Sequence, residues 1–591
     1  MTIKHQLVTQ LTEVLEQLGI SDSTPSVDYP TDPKHGDYAT NVALIAAKKL
    51  GKHPMEVAED LKSKISDLKC IEKIEVATPG FINFWITNNA LIESATVKNN
   101  LPDIGKGREV VVEYSSPNIA KPFTVGHLRS TIIGDAIASL LEATGWKVHR
   151  DNHVGDWGTQ FGKQIYAMKE WGNEKEIEKS EKPVKPLVDL YIKFHEEAEK
   201  DPSLEDKARE WFKKLEDGDS EARELWQKCI DWSWKEFNAI YETLGVRFTE
   251  NDGRGYGESF FENKMSPVIQ ELKEKGLLKE GENGARLVFF PDEKLSPLMI
   301  LKKDGATLYS TRDLATDKFR LGQYGRDVLI INEVGAEQSF YFRQLYQLEE
   351  MLGWVKEGQR VHVRHGLFRF KEGKMSTRKG NVIWLEDVLE NAEAKAFSIF
   401  SQKNIITEGE KIVRKSDSYI TSDDEEIMLP EIVGIGAIKW NDLKRSPEQD
   451  IVFDWDELLN MQGNSGPYIQ YTYARTRSVI ARSEERATKQ SQKGLPRSLQ
   501  SLAMTIEERE LLRLLSRFPE IVEEAAVRYA PNVLCTYLFA IAQAFNLFYQ
   551  KCPILKAEEA VKDFRLALTD ATGTILKNGL NLLGIQAPEK M

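Results

Sequence analysis

Glu113-Tyr-Ser-Ser-Pro-Asn-Ile-Ala-Lys-Pro-Phe-Thr-Val-Gly-His-Leu-Arg129 is the stretch on which the reading of this chain turns. Before it, Val110, Val111 and Val112 read as a buried strand. After it, Leu128 to Leu141 carries apolar residues at helical spacing, and Pro117 and Pro122 break the chain in between. Strand, loop and helix N-terminus in that order aim main-chain N–H groups and the positive end of the helix dipole at an anion. Gly126, without a side chain, lets a flat base or a phosphate approach the main chain, and His127 adds an imidazole donor at the helix mouth. By itself, a glycine–histidine pair after a strand reads equally well as a capping or core histidine.

A second segment, Glu372-Gly-Lys-Met-Ser-Thr-Arg-Lys-Gly380, combines cations, two hydroxyls and two glycines. A loop of this composition can fold over a polyphosphate and neutralise charge developing on a leaving pyrophosphate. A solvated basic turn is the plainer reading of the same residues.

Together, Thr124-Val-Gly-His127 and Lys374-Met-Ser-Thr-Arg378 resemble the HIGH and KMSKS signatures of class I aminoacyl-tRNA synthetases. Ser115 to Thr131, Asp151-Asn-His-Val-Gly-Asp-Trp-Gly-Thr-Gln160, Gly257-Glu-Ser-Phe260, Val334-Gly-Ala-Glu-Gln-Ser339 and Gly579-Leu-Asn-Leu-Leu-Gly-Ile585 narrow the resemblance to the arginyl-tRNA synthetase family. It runs from near residue 1 to Met591. It implies ATP-dependent ligation of L-arginine to tRNA(Arg) through an arginyl adenylate, with Mg²⁺ sharing the pyrophosphate charge.

The substrate argument has a physical side. A guanidinium is planar and always charged, so selecting it calls for two acidic groups converging from different elements, with neutral acceptors completing its donor count. Glu113, Tyr309, Asp313 and Gln338 match the positions that the family uses for this. Tyr309 and Asp313 stand at i and i+4, on one face if the segment is helical. Ser116 and Asn118 match positions holding the amino-acid head group. The resemblance gives the triphosphate to His127, with Thr124, Gly126, Lys374 and Met375 in the ATP site, and the leaving pyrophosphate to Lys374, Ser376 and Arg378. Two departures stand out. Thr124 occupies the place of the first HIGH histidine, and Thr377 that of the second KMSKS lysine, for which Lys121 looks like the substitute.

The expected architecture is α/β, in three parts. Residues 1–105 form a small N-terminal α/β domain, with helices on Leu7, Leu11, Val14, Leu15 and Leu18 and on Ala43 to Leu50. Its strands are Ile74–Val76 and Phe81–Ile86, turned at Pro79-Gly80. In the family this domain meets the tRNA elbow; Tyr38, Asn83 and Phe84 are candidates to stack on or bond a looped-out base, against the alternative of a packed aromatic hairpin. Residues 106–395 alternate strand and helix signals, including Lys147–His149 and Val328–Ile331, and read as a Rossmann-type parallel-sheet catalytic domain. A charged helical insertion from about 174 to 246 interrupts it, with Trp211, Trp226, Trp232 and Trp234 as its core. Residues 396–591 read as an all-α bundle, by resemblance the DALR-type anticodon-binding domain, although the literal Asp-Ala-Leu-Arg string is absent. Between Arg475 and Arg497 seven basic residues, Arg475 and Arg477 first among them, outnumber Glu484 and Glu485, enough to track an RNA backbone or simply to be a solvated face. About 403 to 429 reads as an exposed insertion.

The net charge of 79 − 92 = −13 argues against a wholly basic nucleic-acid binder but leaves local patches open. Cys70, Cys229, Cys535 and Cys552 show no paired spacing, so no metal site or disulfide framework is expected. With no run suggesting a membrane span, the expectation is a cytoplasmic monomer. Another class I synthetase, a small nucleotidyltransferase without RNA, or an inactive tRNA-binding relative are the competing readings.

Overall fold

The computed structural model describes residues 2–22, 24–65, 68–96, 101–281, 283–292, 294–370, 383–403, 405–408, 411–414, 425–484 and 504–591. At the N-terminus, helix Ile3–Gln17 buries Ile3, Leu7, Leu11, Val14 and Leu15 on one side, as the spacing predicts. Helices Val42–Leu50 and Pro54–Ile65 pack on a three-stranded antiparallel sheet in which Phe81–Ile86 lies between Tyr38–Thr40 and Ile71–Ala77. The turn at Thr78-Pro79 is cis.

Here the structure corrects one expectation. Tyr38 is 1% and Phe84 0% exposed, and Asn83 is buried as well. A ring with no open face cannot stack on a base. Tyr38 instead donates its hydroxyl to both carboxylate oxygens of Glu520, at 3.2 and 3.1 Å, so this domain is fastened to the C-terminal bundle. Tyr29 Oη and the Lys4 main-chain N–H reach the same carboxylate at 2.5 and 2.8 Å, and Arg509 grips Asp37 at 3.2 Å. The ring left open on the hairpin is Phe81, 39% exposed. It lines a cavity of about 200 Å³ with Tyr29, Thr40 and Asn41.

The central sheet is parallel, ordered Arg360–His365, Leu329–Gly335, Glu109–Glu113, Lys147–Asp151. Val110, Val111 and Val112 are fully buried, the pattern of a strand covered on both faces. Glu109–Glu113 has its sequence successor Lys147–Asp151 on one side and the much later Leu329–Gly335 on the other. The connections therefore diverge at its carboxyl end, where an open sheet of this type forms its binding crevice. The insertion is helical throughout: Glu174–Lys179, Val184–Lys200, Ser203–Glu216 and Ser220–Leu244. Its tryptophans are structural. Trp234 is buried, and Trp226 donates Nε1–H to the Asp156 carbonyl at 2.8 Å while meeting Trp157 edge-on. A small antiparallel sheet of Leu278–Glu280, Arg286–Val288 and Leu298–Leu301 precedes helix Tyr309–Tyr324. Strands of three or four residues carry too little alternation to be read beforehand.

The bundle comprises Gly466–Glu484, Ile506–Leu515, Phe518–Val527, Pro531–Lys551 and Glu559–Leu582. Pro531–Lys551 is long and apolar enough to cross a membrane by composition, but it packs on the other four helices and buries Leu534, Leu538, Ile541, Phe545 and Phe548. Helix Glu425–Leu443 packs on Leu385–Lys403, on Gly466–Glu484 and Pro531–Lys551 of the bundle, and on Val125–Ala143, where buried Arg129 and Asp442 pair at 3.1 Å. Ile451–Phe453 runs parallel to Phe368–Phe370. The 403–429 stretch contains a hairpin, Ile405–Glu408 with Lys411–Arg414.

Candidate active site

Helix Val125–Ala143 starts where the sequence places it, with Thr124 extended at its N-cap. The Thr124 main-chain N–H donates to His127 Nδ1 at 3.0 Å, which satisfies one of the donors that a helix start leaves open. Because Nδ1 is the acceptor, the neutral ring carries its proton on Nε2, which has no hydrogen-bond partner among the described residues. Burial, helped by His365 and Lys121, draws the His127 pKa down to about 4. His127 is thus a neutral N–H donor at the mouth of the crevice. Gly126 is exposed, and a Cβ there would touch only Thr124 Oγ1, at 3.3 Å.

The loop before the helix is held from two sides. Ile119 N–H reaches the Gly155 carbonyl at 3.1 Å, and Ala120 N–H reaches Ser233 Oγ of the insertion at 2.9 Å. Ser115 and Ala120 take left-handed φ values of 56° and 55°, a conformation that such external bonds must maintain. Lys121 donates to Gln160 Oε1 at 3.1 Å; burial lowers its pKa and Glu258 raises it. Lys374, Met375, Ser376 and Arg378 lie outside the described residues. The chain resumes beside the helix head, where Leu385 N–H bonds the Phe123 carbonyl at 2.9 Å and Trp384 pairs with Thr124.

Across the crevice lies an acid pocket. Glu113, the last residue of its strand, accepts from Arg320 Nη1 at 2.5 Å and Asn332 Nδ2 at 3.0 Å. Burial works against its charge, but Arg320, with the Asn332 amide, outweighs it and holds the carboxyl below its ordinary value. Tyr309 and Asp313 do lie one turn apart on a helix. Tyr309 is 57% exposed at the helix start, and its ring meets Tyr341 edge-on at 4.9 Å. Asp313 accepts the Tyr341 hydroxyl at 2.5 Å. Withdrawal from water, with the negative charges of Glu113, Asp317 and Glu258, pushes the Asp313 pKa up to about 7. That mutual repulsion means the two carboxylates act on one region of space. They are not equivalent, since Glu113 already has a permanent cation and Asp313 has none among the described residues. Ser116 Oγ accepts the His153 main-chain N–H at 3.2 Å. Asn118 pairs with Gly155, where a Cβ would come within 2.3 Å of its Oδ1. Gln338 is exposed at the end of a short 3₁₀ turn after Leu329–Gly335.

Beneath the pocket runs a buried ion network. Arg320 pairs with Asp151 at 2.7 Å and Asp317 at 3.4 Å, Asp317 with Arg360 at 2.6 Å, and Arg360 with Glu349 at 3.0 Å. Burial pushes Glu349 well above the carboxylate range, yet Glu113, Asp151 and Asp317 still outnumber the two arginines. Such an excess of acid favours a cationic ligand above it. Arg320, Asn332, His153 and Tyr341 were not singled out from sequence. The one available signal was the spacing of Asp313, Asp317 and Arg320 along one helical face.

In the bundle, Arg475 bonds Asn546 and lies over Tyr471 and Tyr549, at 4.7 and 5.4 Å from the ring centres. Arg477 is engaged by Asp570 at 3.2 Å and Glu589 at 3.0 Å, so its charge is largely used inside the protein.

A neutral donor at a helix head and a pocket of buried carboxylates, both at the divergent end of a parallel sheet, fit the class I tRNA synthetase catalytic domain. Residues 88–455 match the family model described as tRNA synthetases class I (R), catalytic domain. Residues 2–86 match the arginyl tRNA synthetase N terminal domain and 469–591 the DALR anticodon binding domain. The arginine–tRNA ligase of Halothermothrix orenii is 38% identical over 600 residues, covering 100% of this chain and 99% of its own. That of Clostridium kluyveri is 40% identical over 576 residues, covering 96% of each. Among solved structures, Thermus thermophilus arginyl-tRNA synthetase superposes with a TM-score of 0.82 at 24% identity, and that of Plasmodium falciparum with 0.82 at 26%, each over 100% of both chains. The chain belongs to the arginyl-tRNA synthetase family, and with it to the ATP-using ligases of translation.

Proposed function

We propose that this crevice activates L-arginine with ATP and passes it to tRNA(Arg). The observation that carries the reading is Asp313, which no Lys or Arg among the described residues pairs, close enough to Glu113 for each charge to act on the other. An arginine carboxylate oxygen attacks the α-phosphorus of ATP; the new O–P bond forms as the bond to the β-phosphate oxygen breaks, giving arginyl adenylate and pyrophosphate. Such chemistry needs in-line positioning and charge stabilisation more than covalent help. His127 donates Nε2–H to the triphosphate, with Thr124 and Gly126 leaving room for the nucleoside; Met375, outside the described residues, is given to the ATP site by the family resemblance alone. Lys121, Lys374, Ser376 and Arg378 counter the charge on pyrophosphate. Asp313, Glu113, Tyr309 and Gln338 take the guanidinium; Ser116 and Asn118 take the head group. The 2′ oxygen of the tRNA terminal adenosine then attacks the adenylate carbonyl and AMP leaves. Mg²⁺ would accompany the triphosphate and share the charge of the leaving pyrophosphate. Phe81, rather than Tyr38 or Phe84, is the aromatic available to the tRNA from the N-terminal domain, and Arg475 with its tyrosines serves the anticodon side. The enzyme acts as a cytoplasmic monomer, in keeping with four buried free cysteines.

Arginine-dependent exchange of pyrophosphate into ATP, compared with lysine and with and without tRNA, tests the reading; exchange that ignores the amino acid refutes it. Lys121→Ala is expected to slow arginine activation about 10²-fold, the scale of one lost charge partner in the transition state. Unchanged exchange kinetics would remove Lys121 from the site. The arginine KM is expected to fall as pH rises from 6 to 8. With a pKa of about 7, Asp313 is protonated on the acid side and ionised, able to hold a cation, above it. A KM flat over that interval would mean that the group is charged throughout.

A further inference from the structure

His153 sits between the two pocket carboxylates, and nothing assigned so far uses it. Its Nδ1 lies 3.1 Å from the Tyr256 carbonyl, which can only accept, so Nδ1 carries the ring proton. Nε2 is then a bare acceptor. It is buried with no hydrogen-bond partner among the described residues, and lies 3.7 Å from Asp313 Oδ1, too far to bond. The ring is neutral, because burial draws its pKa down against the pull of Glu113. Phe261 packs against it at 5.6 Å, and its main-chain N–H is held by Ser116, so the nitrogen is fixed in place. Buried acceptors without donors are uncommon in folded proteins, and one fixed in a cation pocket is a binding group awaiting its partner.

We propose that His153 Nε2 is the third acceptor of the arginine pocket, receiving one N–H of the substrate guanidinium between Glu113 and Asp313. The inference rests on the reading of this crevice as the arginine site. A guanidinium has N–H donors directed along its plane, and two carboxylates partly occupied by Arg320, Asn332 and Tyr341 leave donors over. A neutral ring nitrogen meets that need without adding charge. It also discriminates against lysine, whose compact ammonium cannot reach three acceptors spread across a plane.

His153→Asn tests this, since the asparagine amide can keep the bond to the Tyr256 carbonyl while the acceptor at Nε2 disappears. In arginine-dependent pyrophosphate exchange the expected result is a 10- to 50-fold rise in the arginine KM, with kcat and the ATP KM within threefold of the parent. His153→Gln, which can return an oxygen acceptor near the Nε2 position, should recover most of the loss. His153→Phe, filling the ring space without either nitrogen, serves if the asparagine variant loses its cooperative thermal transition. A folded variant lacking the acceptor whose arginine KM stays within twofold of the parent overturns the proposal. If the pocket reading itself were wrong, Asp313→Asn would also leave the arginine KM unchanged; if only His153 is misassigned, Asp313→Asn stays impaired while His153→Asn is normal.

Discussion

An Asp313→Asn enzyme is expected to show an arginine KM raised about 10²- to 10³-fold, with its ATP KM nearly unchanged. Asparagine keeps the shape and can still accept the Tyr341 hydroxyl. It loses a charge that no Lys or Arg among the described residues pairs, whereas Glu113 is tied to Arg320. A hydrogen bond to a charged group contributes about 1.5–3 kcal/mol, and the lost Coulomb attraction in a partly enclosed site brings the total to about 3–4 kcal/mol. At 1.4 kcal/mol per decade that is two to three decades of affinity. The variant should also lose the pH dependence of the arginine KM, because the titrating group is gone. Steady-state exchange at several pH values gives both readouts, and a KM within threefold of the parent would contradict the assignment.

Arg320→Met is expected to damage the fold before the chemistry. The guanidinium is held by Glu113, Asp151 and Asp317, all buried, and methionine leaves three carboxylates facing one another without it. Breaking a buried pair by removing one partner costs about 3–5 kcal/mol, because the remaining charge is stranded. Part of this is relieved by protonation, which sets a sign. Burial already raises Asp151 to about 6 beside Arg320, and without the arginine the carboxylates rise further above their unfolded values. Groups whose folded pKa is raised stabilise the fold in their protonated form, and that stability is lost as pH rises through the raised value. The variant should therefore unfold at lower urea concentration than the parent, with the gap widening from pH 6 to pH 8. An unchanged midpoint at pH 8 would show that the network is not what holds the sheet ends together.

Much of this was legible in the sequence where the cause is local. Three consecutive valines bounded by charged residues made a buried parallel strand. The apolar spacing from Leu128 to Leu141 made the helix behind it, and the four-residue step from Tyr309 to Asp313 did place both on one helical face. The misreading of Tyr38 and Phe84 came from weighing residue type over parity. In Phe81–Ile86, Phe84 shares the face of Ile82 and Ile86 and turns inward with them, whereas Phe81 falls on the opposite face. What no pattern carried was the company each charge keeps. Arg320 meets Glu113 and Asp151 from far along the chain, and the burial of Asp313 that moves its pKa is a property of the assembled pocket. The attachment of Glu425–Leu443 to the sheet domain likewise depends on the Arg129–Asp442 pair, whose members are more than three hundred residues apart in sequence.

Glu520 receives the Lys4 N–H and the hydroxyls of Tyr29 and Tyr38, and Asp37 closes on Arg509. The N-terminal domain and the C-terminal bundle are thus locked jaw to jaw, like the arms of a calliper whose screw has been tightened. Load applied to one of them passes to the other through these bonds, and neither can turn on its neighbour without stranding a carboxylate.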